Sequence, residues 1–114
     1  MAYDEQLAAR VRAALGEQDG IQDGITERKM FGGLCVMLRG NMCVGVERDR
    51  LMVRVGPARY REALERPHAS LMDFTGKPLK GFVYVSAAGV ASDADLREWV
   101  QLGVDFAGSL PVKG

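Results

Sequence analysis

The stretch from Lys29 to Val55 constrains the fold of this chain more than any other part of the sequence. It reads KMFGGLCVMLRGNMCVGVERDRLMVRV, and apolar residues alternate along three short runs that turn residues separate. Alternation with a period of two is typical of β-strands, because successive side chains of a strand point to opposite faces of the sheet. The stretch therefore predicts three consecutive antiparallel strands joined by two tight turns.

The length of each turn decides which side chains share a face, because residues opposed across a hairpin lie on the same side of the sheet. A three-residue loop Arg39-Gly40-Asn41 and a two-residue turn Arg48-Asp49 would bring nine apolar residues together. These nine are Leu34, Val36, Leu38, Met42, Val44, Val46, Leu51, Val53 and Val55. A two-residue loop at Gly40 would instead turn the second strand over, so the register depends on that turn.

In this register the opposite face lacks the polar side chains expected of a solvent-exposed antiparallel sheet. Its members are Cys35, Met37, Cys43, Gly45, Met52 and Arg54. We expect this face to be covered, either by a terminal helix of the same chain or by a partner, with a homodimer as the expected assembly. The two cysteines would lie diagonally across the hairpin, too far apart for a disulfide, so we expect two buried thiols.

Helical and strand patterns flank this stretch on both sides. The predicted elements are a helix from Tyr3 to Leu15 capped by Asp4, a strand from Ile25 to Phe31, a short helix from Gly56-Pro57 to Glu65, a strand from Phe82 to Ser86, and a long helix capped by Ser92. Residues 1–114 are thus predicted to form a single α+β domain. It should have two layers, with a mainly antiparallel sheet of about five strands, an N-terminal helix, a short middle helix and a long C-terminal helix.

Glycine-containing turns are candidate binding sites. Gly32-Gly33 permits backbone angles that are closed to other residues, which predicts a bend, a bulge or a close backbone approach. A phosphate cradle is the competing interpretation, although no helix follows whose N-terminus could face the phosphate. Lys77 and Lys80 lie in a later turn and, together with Lys29, could bind an anion or a small molecule.

Charge and composition disfavour several classes of function. The chain has 15 basic and 15 acidic side chains, and this balance argues against direct nucleic-acid binding. The N-terminus has no targeting pattern, and no run approaches the ~18 apolar residues of a membrane span, so we expect a cytoplasmic protein without a membrane association. The single histidine, His68, has no cysteine or acidic neighbour, and we expect no catalytic residues, no metal and no cofactor.

Two long segments of the chain carry a family resemblance. RKMFGGLCVMLRGNMCVGV at Arg28–Val46 and MDFTGKPLKGFVYV at Met72–Val85 resemble the signature segments of the TfoX N-terminal domain of the TfoX/Sxy family. The resemblance implies an α+β fold and a relationship to regulators of natural competence, which act in bacterial transcription with the cyclic-AMP receptor protein. Those regulators carry a second, helical domain after this one, so the chain resembles a stand-alone N-terminal domain, and the family supplies no catalytic residues to map onto it.

Two functional hypotheses from different classes follow. The first is a non-enzymatic regulatory module, a homodimer that binds a transcription-regulatory protein. It would bind either through the Cys35/Met37 sheet face, with Cys43 and Met52 as further candidate residues, or through the glycine-rich turns. The second is a small-molecule or anion-binding domain that uses Gly32, Gly33, Lys29 and the Lys77–Lys80 turn. Direct DNA binding is a weaker third hypothesis, because no recognition helix is apparent.

Overall fold

The computed structural model describes residues 3–73 and 76–113, and within them it contains three α-helices and a six-stranded antiparallel sheet. The helices are α1 (Glu5–Gly16), α2 (Tyr60–Leu64) and α3 (Asp93–Ser109). The strands are β1 (Ile25–Met30), β2 (Gly33–Leu38), β3 (Asn41–Glu47), β4 (Arg50–Arg54), β5 (Ala69–Leu71) and β6 (Phe82–Val85), in the spatial order β1-β2-β3-β4-β6-β5. The predicted α+β fold is confirmed, with six strands where about five were expected.

The predicted helix caps are confirmed. The Asp4 carboxylate accepts hydrogen bonds from the backbone N–H groups of Gln6 and Leu7, at 2.8 and 3.1 Å, which satisfies donors that α1 leaves unpaired at its start. The hydroxyl of Ser92 likewise accepts from the N–H of Asp95, at 3.1 Å. The middle helix is shorter than predicted, because the three residues that precede Tyr60 form turns.

All three described helices pack on one face of the sheet. The main core combines buried residues of α1, Ala63 of α2 and the apolar stripe of α3, with Trp99 at 2% exposure. The sheet contributes eight of the nine residues predicted to share a face, and these are Leu34, Val36, Leu38, Val44, Val46, Leu51, Val53 and Val55. We call this side of the sheet the helix face and the other side the helix-free face.

The ninth residue, Met42, lies on the helix-free face, so the predicted register at Gly40 is wrong in detail. Leu38 pairs with Asn41, which makes the loop the two-residue turn Arg39-Gly40, and both residues have positive φ, 51° and 84°. Such a turn matches the twist of a hairpin but, as expected, turns β3 over. A bulge then restores the face: Met37 pairs with Met42 and Val36 with Val44, which leaves Cys43 as an extra residue.

The first hairpin turn differs by one residue from the prediction. β1 ends at Met30, and the turn is Phe31-Gly32, with φ values of 56° and 76°. Gly33 begins β2, where a Cβ atom would collide with the carbonyl oxygen of Val46. The predicted close backbone approach is therefore confirmed at Gly33.

The described chain contains no helix that is long and apolar enough to cross a membrane.

Candidate functional site

A second apolar cluster fills the helix-free face. It consists of Cys35, Met37, Met42, Met52, Met72 and Tyr84, and we call it the sulfur cluster. Each member is at most 5% exposed. The predicted apolar character of this face is confirmed, and its side chains are buried within a single copy of the chain.

An irregular segment between β5 and β6 covers the sulfur cluster. Met72 is completely buried in the cluster, and Leu79 packs against it from the other end of the segment. A hydrogen bond from the Leu79 N–H to the Met72 carbonyl oxygen, at 2.8 Å, closes the segment into a loop. We call residues 72–81, as far as they are described, the cover segment. Together with Met30, Phe31 and Phe82, which also pack against the cluster, it provides the covering that the sequence assigned to a terminal helix or a partner.

The two cysteines lie on opposite faces, so the predicted diagonal arrangement is wrong. The bulge turns Cys43 into the helix-face core, whereas Cys35 pairs across from Gly45 in the sulfur cluster. Both thiols are free and buried, as predicted. Burial raises the pKa of Cys35 to about 11 and that of Cys43 to about 12, because a thiolate is poorly solvated in an apolar core.

We expect both thiols of the native protein to resist a thiol-specific disulfide reagent at about pH 8, since the thiolate is the nucleophile. Well below pH 9.0, the ordinary pKa of a thiol, ionisation of the cysteines should not affect the free energy of unfolding. That free energy should fall as the pH rises from 9.0 toward about 11, because the thiols then ionise more readily in the unfolded chain. Cys43 is an internal control, because it lies under the helices. Faster reaction of Cys35 than of Cys43 would show that the cover segment opens, and rapid reaction of both would contradict the burial.

Basic side chains surround the sulfur cluster. Arg28 pairs across from Cys35 and so lies on the helix-free face, and Arg50 and Arg54 flank Met52 on β4. Lys77 and Lys80 are exposed on the cover segment, on either side of Leu79. We call Arg28, Arg50, Arg54, Lys77 and Lys80 the basic rim.

Aromatic rings and one carboxylate hold two of the rim arginines. The Arg50 guanidinium carbon lies 3.5 Å from the centre of the Tyr84 ring, and its Nε donates to Glu47 at 2.7 Å. Burial raises the pKa of Tyr84, and the nearby Arg50 charge opposes that rise. The Arg54 guanidinium carbon lies 5.3 Å from the centre of the Phe82 ring and 5.2 Å from that of Phe106. These contacts fix two cations at the boundary of the cluster.

The balanced composition conceals an uneven distribution of charge. The side chains around the sulfur cluster include the five cations of the basic rim and two acidic residues, Glu47 and Asp73. The three helices carry six acidic and four basic side chains. The helix-free face is therefore net basic, and the helix layer is net acidic.

The structure separates the residues of the predicted anion site. Lys29 pairs across from Leu34, whose side chain lies in the helix-face core, so Lys29 points to the helix side of the sheet. Lys77 and Lys80 belong to the segment on the other face. Gly32 lies in the exposed turn and Gly33 is buried against Val46, so neither glycine joins the lysines into one cradle.

The sequence pattern did not assign several residues of the helix-free face to that face. Met42 was assigned to the other face because the turn at Gly40 has two residues rather than the predicted three. Tyr84 joins the sulfur cluster because β6 pairs with β4, and Met72 joins it from the cover segment; alternation within a single strand encodes neither. Arg50 could have been found, because it lies two residues before Met52 on the same strand. Arg28 could have been found as well, because a two-residue turn at the glycines places it opposite Cys35 and so on the same face.

A polar cleft lies on the helix side of the molecule. It has a volume of about 230 Å³ and is lined by Arg66, His68 and Asp95 beside Trp99. The Arg66 guanidinium carbon stacks over Trp99, 4.4 Å from the ring centre, and its Nη2 lies 3.5 Å from a Glu98 oxygen. Arg66 is thus already engaged within the protein. Among the residues with assigned positions, no cluster of three or more histidine, cysteine, aspartate or glutamate side chains is arranged to hold a metal ion.

The sequence that folds in this way matches a known protein family. The family model described as the TfoX N-terminal domain matches residues 19–107, which is most of the chain. This chain belongs to the TfoX N-terminal domain family. Neither the curated proteins nor the solved structures give a match.

The matched span places the candidate site inside the TfoX N-terminal domain. Residues 19–107 include every strand of the sheet, the whole sulfur cluster and the whole basic rim, whereas α1 precedes the span. The resemblance seen in the sequence at Arg28–Val46 and Met72–Val85 is confirmed, and these two segments supply the centre of the helix-free face and its cover.

Proposed function

We propose that this TfoX N-terminal domain is a non-enzymatic regulatory module that binds an acidic surface of a protein partner through the basic rim. One observation carries the proposal: all the described helices pack on one sheet face, which leaves the other face with basic side chains around a cluster covered by a loop. A sheet face without helices has room for a partner to lie across it.

The chemistry of the rim suits carboxylates. Arg28, Lys77 and Lys80 are exposed, so their charges are accessible to a partner without rearrangement of the fold. Arg50 and Arg54 are held against aromatic rings, and a guanidinium fixed in this way loses less entropy when it binds a carboxylate. Glu47 already neutralises part of the Arg50 charge, so the exposed cations should contribute most to the attraction.

Family membership supports a regulatory protein as the partner. The family resemblance implies regulators that act together with a transcription-regulatory protein, and complementary charge steers such encounters and selects among partners. Fold alone does not define function, so the proposal depends on the surface and its charges.

A charge-reversal variant tests the proposal. In Arg28→Glu/Lys77→Glu/Lys80→Glu, three exposed cations of the face become acidic, and binding to an acidic partner should weaken about tenfold or more. The matched control is Arg59→Glu/Arg61→Glu/Arg97→Glu, which makes the same change of net charge on the helix side. Proteins captured from lysate of the native cell by the wild type and the control, but lost with the first variant, are identified and their affinities remeasured. Equal binding by both variants would contradict the proposal.

Two further ligand classes serve as outcomes of the same experiment. Submicromolar binding of a duplex DNA or a single-stranded RNA at physiological salt, lost in the face variant, would assign the rim to nucleic acid, because non-specific binding is usually weaker. Stabilisation by nucleotides or inorganic phosphate in a thermal-shift assay would favour an anion site. We expect neither result.

A further inference from the structure

The outer edge of β1 is the feature that the proposed function leaves unused. β1 is the first strand in the order β1-β2-β3-β4-β6-β5 and, within the described chain, it pairs with β2 alone. Its middle residues, Thr26 to Lys29, are exposed. The opposite edge, β5, has three residues and packs beside α2. β1 is therefore the longer and more accessible of the two edges.

The hydrogen-bond phase of the sheet identifies the backbone groups of β1 that point outward. The Arg39 N–H donates to the Gly24 carbonyl oxygen at 2.7 Å, and Met30 and Gly33 flank a two-residue turn. In an antiparallel pair, hydrogen-bonded and non-hydrogen-bonded positions alternate. Thr26, Arg28 and Met30 thus bond to β2, whereas Ile25, Glu27 and Lys29 direct their N–H and C=O groups away from the sheet.

The edge lacks two features that natural proteins use to block pairing, a proline and a β-bulge. β1 contains no proline, and its pairing with β2 has no register shift, so the strand is not bent away from an incoming strand. Its exposed charges have both signs. Glu27 is ionised at neutral pH, because hydrogen bonds from Arg12 at 2.7 and 2.9 Å lower its pKa. A carboxylate has room for further donors beyond these two.

We infer that β1 is a self-association edge, to which a second copy of this chain adds its own β1 in antiparallel orientation with Glu27 of each copy opposite Lys29 of the other. Two antiparallel registers pair the outward N–H and C=O groups of the two copies and align five residues of each β1 strand. One is centred on Arg28 and forms two Glu27–Lys29 pairs with one Arg28–Arg28 pair. The other is centred on Glu27 and places the two Glu27 carboxylates opposite each other without any attractive pair, so charge favours the first.

The symmetry of this pairing has a consequence for the basic rim. Antiparallel pairing of identical edge strands creates a two-fold axis perpendicular to the sheet, so both helix-free faces lie on the same side of one continuous sheet. The two Arg28 side chains meet near the axis, and an acidic partner would relieve their repulsion. This consequence rests on the proposed function, whereas the edge pairing itself does not.

Proline substitution tests the edge. Lys29→Pro removes an outward N–H and keeps the bonds between β1 and β2, so the variant should remain folded and become monomeric in sedimentation equilibrium. Leu71→Pro is the matched control on β5. The Ser86 N–H donates to the His68 carbonyl oxygen, so by alternation the N–H of Leu71 points away from β6. The control should dimerise like the wild type. A wild type that is monomeric at high micromolar concentration, or a dimeric Lys29→Pro, would overturn the inference.

Charge reversal tests the register independently of proline. Lys29→Glu and Glu27→Lys should each dimerise about tenfold more weakly than the wild type, because like charges then oppose each other at two positions. Mixing the two variants should restore dimers, since each acidic position then faces a lysine. Unchanged dimerisation of Lys29→Glu alone, or no gain on mixing, would refute this register. A monomeric Lys29→Pro that still binds a partner through the basic rim would leave the proposed function standing, so the two failures are distinguishable.

Discussion

A Met52→Asp variant should lose about 4 kcal/mol or more of stability at neutral pH, because a carboxylate would replace a completely buried thioether. Met52 pairs with Gly45 on one side and Tyr84 on the other, in the middle of the sulfur cluster. An unpaired buried carboxylate takes up a proton when it can, so its pKa should be raised. The destabilisation should therefore shrink as the pH falls from neutral toward about 4, the ordinary pKa of an aspartate side chain, in contrast to ordinary acid unfolding.

Met52→Leu is the matched control for this variant. It keeps the volume and the apolar character of the side chain, and we expect it to cost less than about 1.5 kcal/mol. Urea denaturation followed by far-UV circular dichroism at two pH values measures both variants. A Met52→Asp protein as stable as the wild type would show that the face is solvated, and thus that the cover segment does not close over it.

A Trp99→Ala variant should lose about 3–5 kcal/mol, the usual cost of removing a large aromatic side chain from a core. Trp99 is 2% exposed on α3 and belongs to the core between the helices and the sheet. The substitution also removes the ring on which Arg66 stacks. Because the chain has one tryptophan, circular dichroism rather than fluorescence must follow the unfolding of this variant.

Trp99→Phe separates the two contributions at this position. Phenylalanine retains an aromatic ring for Arg66 and leaves a smaller cavity, so we expect a loss of less than half of that found for alanine. Equal losses for the two variants would indicate that ring stacking and packing volume matter less here than the indole itself. A loss below about 1 kcal/mol for Trp99→Ala would contradict the position of Trp99 in the core.

The alternation of apolar residues predicted most of the side-chain faces of the central strands correctly, and the errors arise at the turn around Gly40. Eight of the nine residues assigned to the helix face lie there, although the predicted loop at Gly40 has the wrong length. The two-residue turn and the bulge at Cys43 each shift the side chains by one position, so their effects cancel from Val44 onward. Only Met42 and Cys43, between the turn and the bulge, exchange faces.

The periodicity of the sequence did not predict the short strand β5 or the irregular cover segment. β5 has three residues, too few for an alternating pattern, and forms because it pairs with β6. The cover segment has no regular structure, and its position follows from the burial of Met72 and Leu79 against strands distant in sequence. The basic face was hidden for a related reason: composition reports the sum of the charges, whereas the fold sorts them onto two sides.

Amine labelling of the partner complex can locate the binding surface on the domain. The captured partner is bound to the wild-type domain, and the lysines are labelled before and after complex formation. We expect strong protection of Lys77 and Lys80 on the cover segment and unchanged labelling of Lys113. Lys113 lies beside the β2–β3 turn, where its N–H donates to the Arg39 carbonyl oxygen at 2.9 Å. Unchanged labelling of Lys77 and Lys80 in a fully formed complex would show that the partner binds elsewhere, and the helix-free face would not be the interaction site.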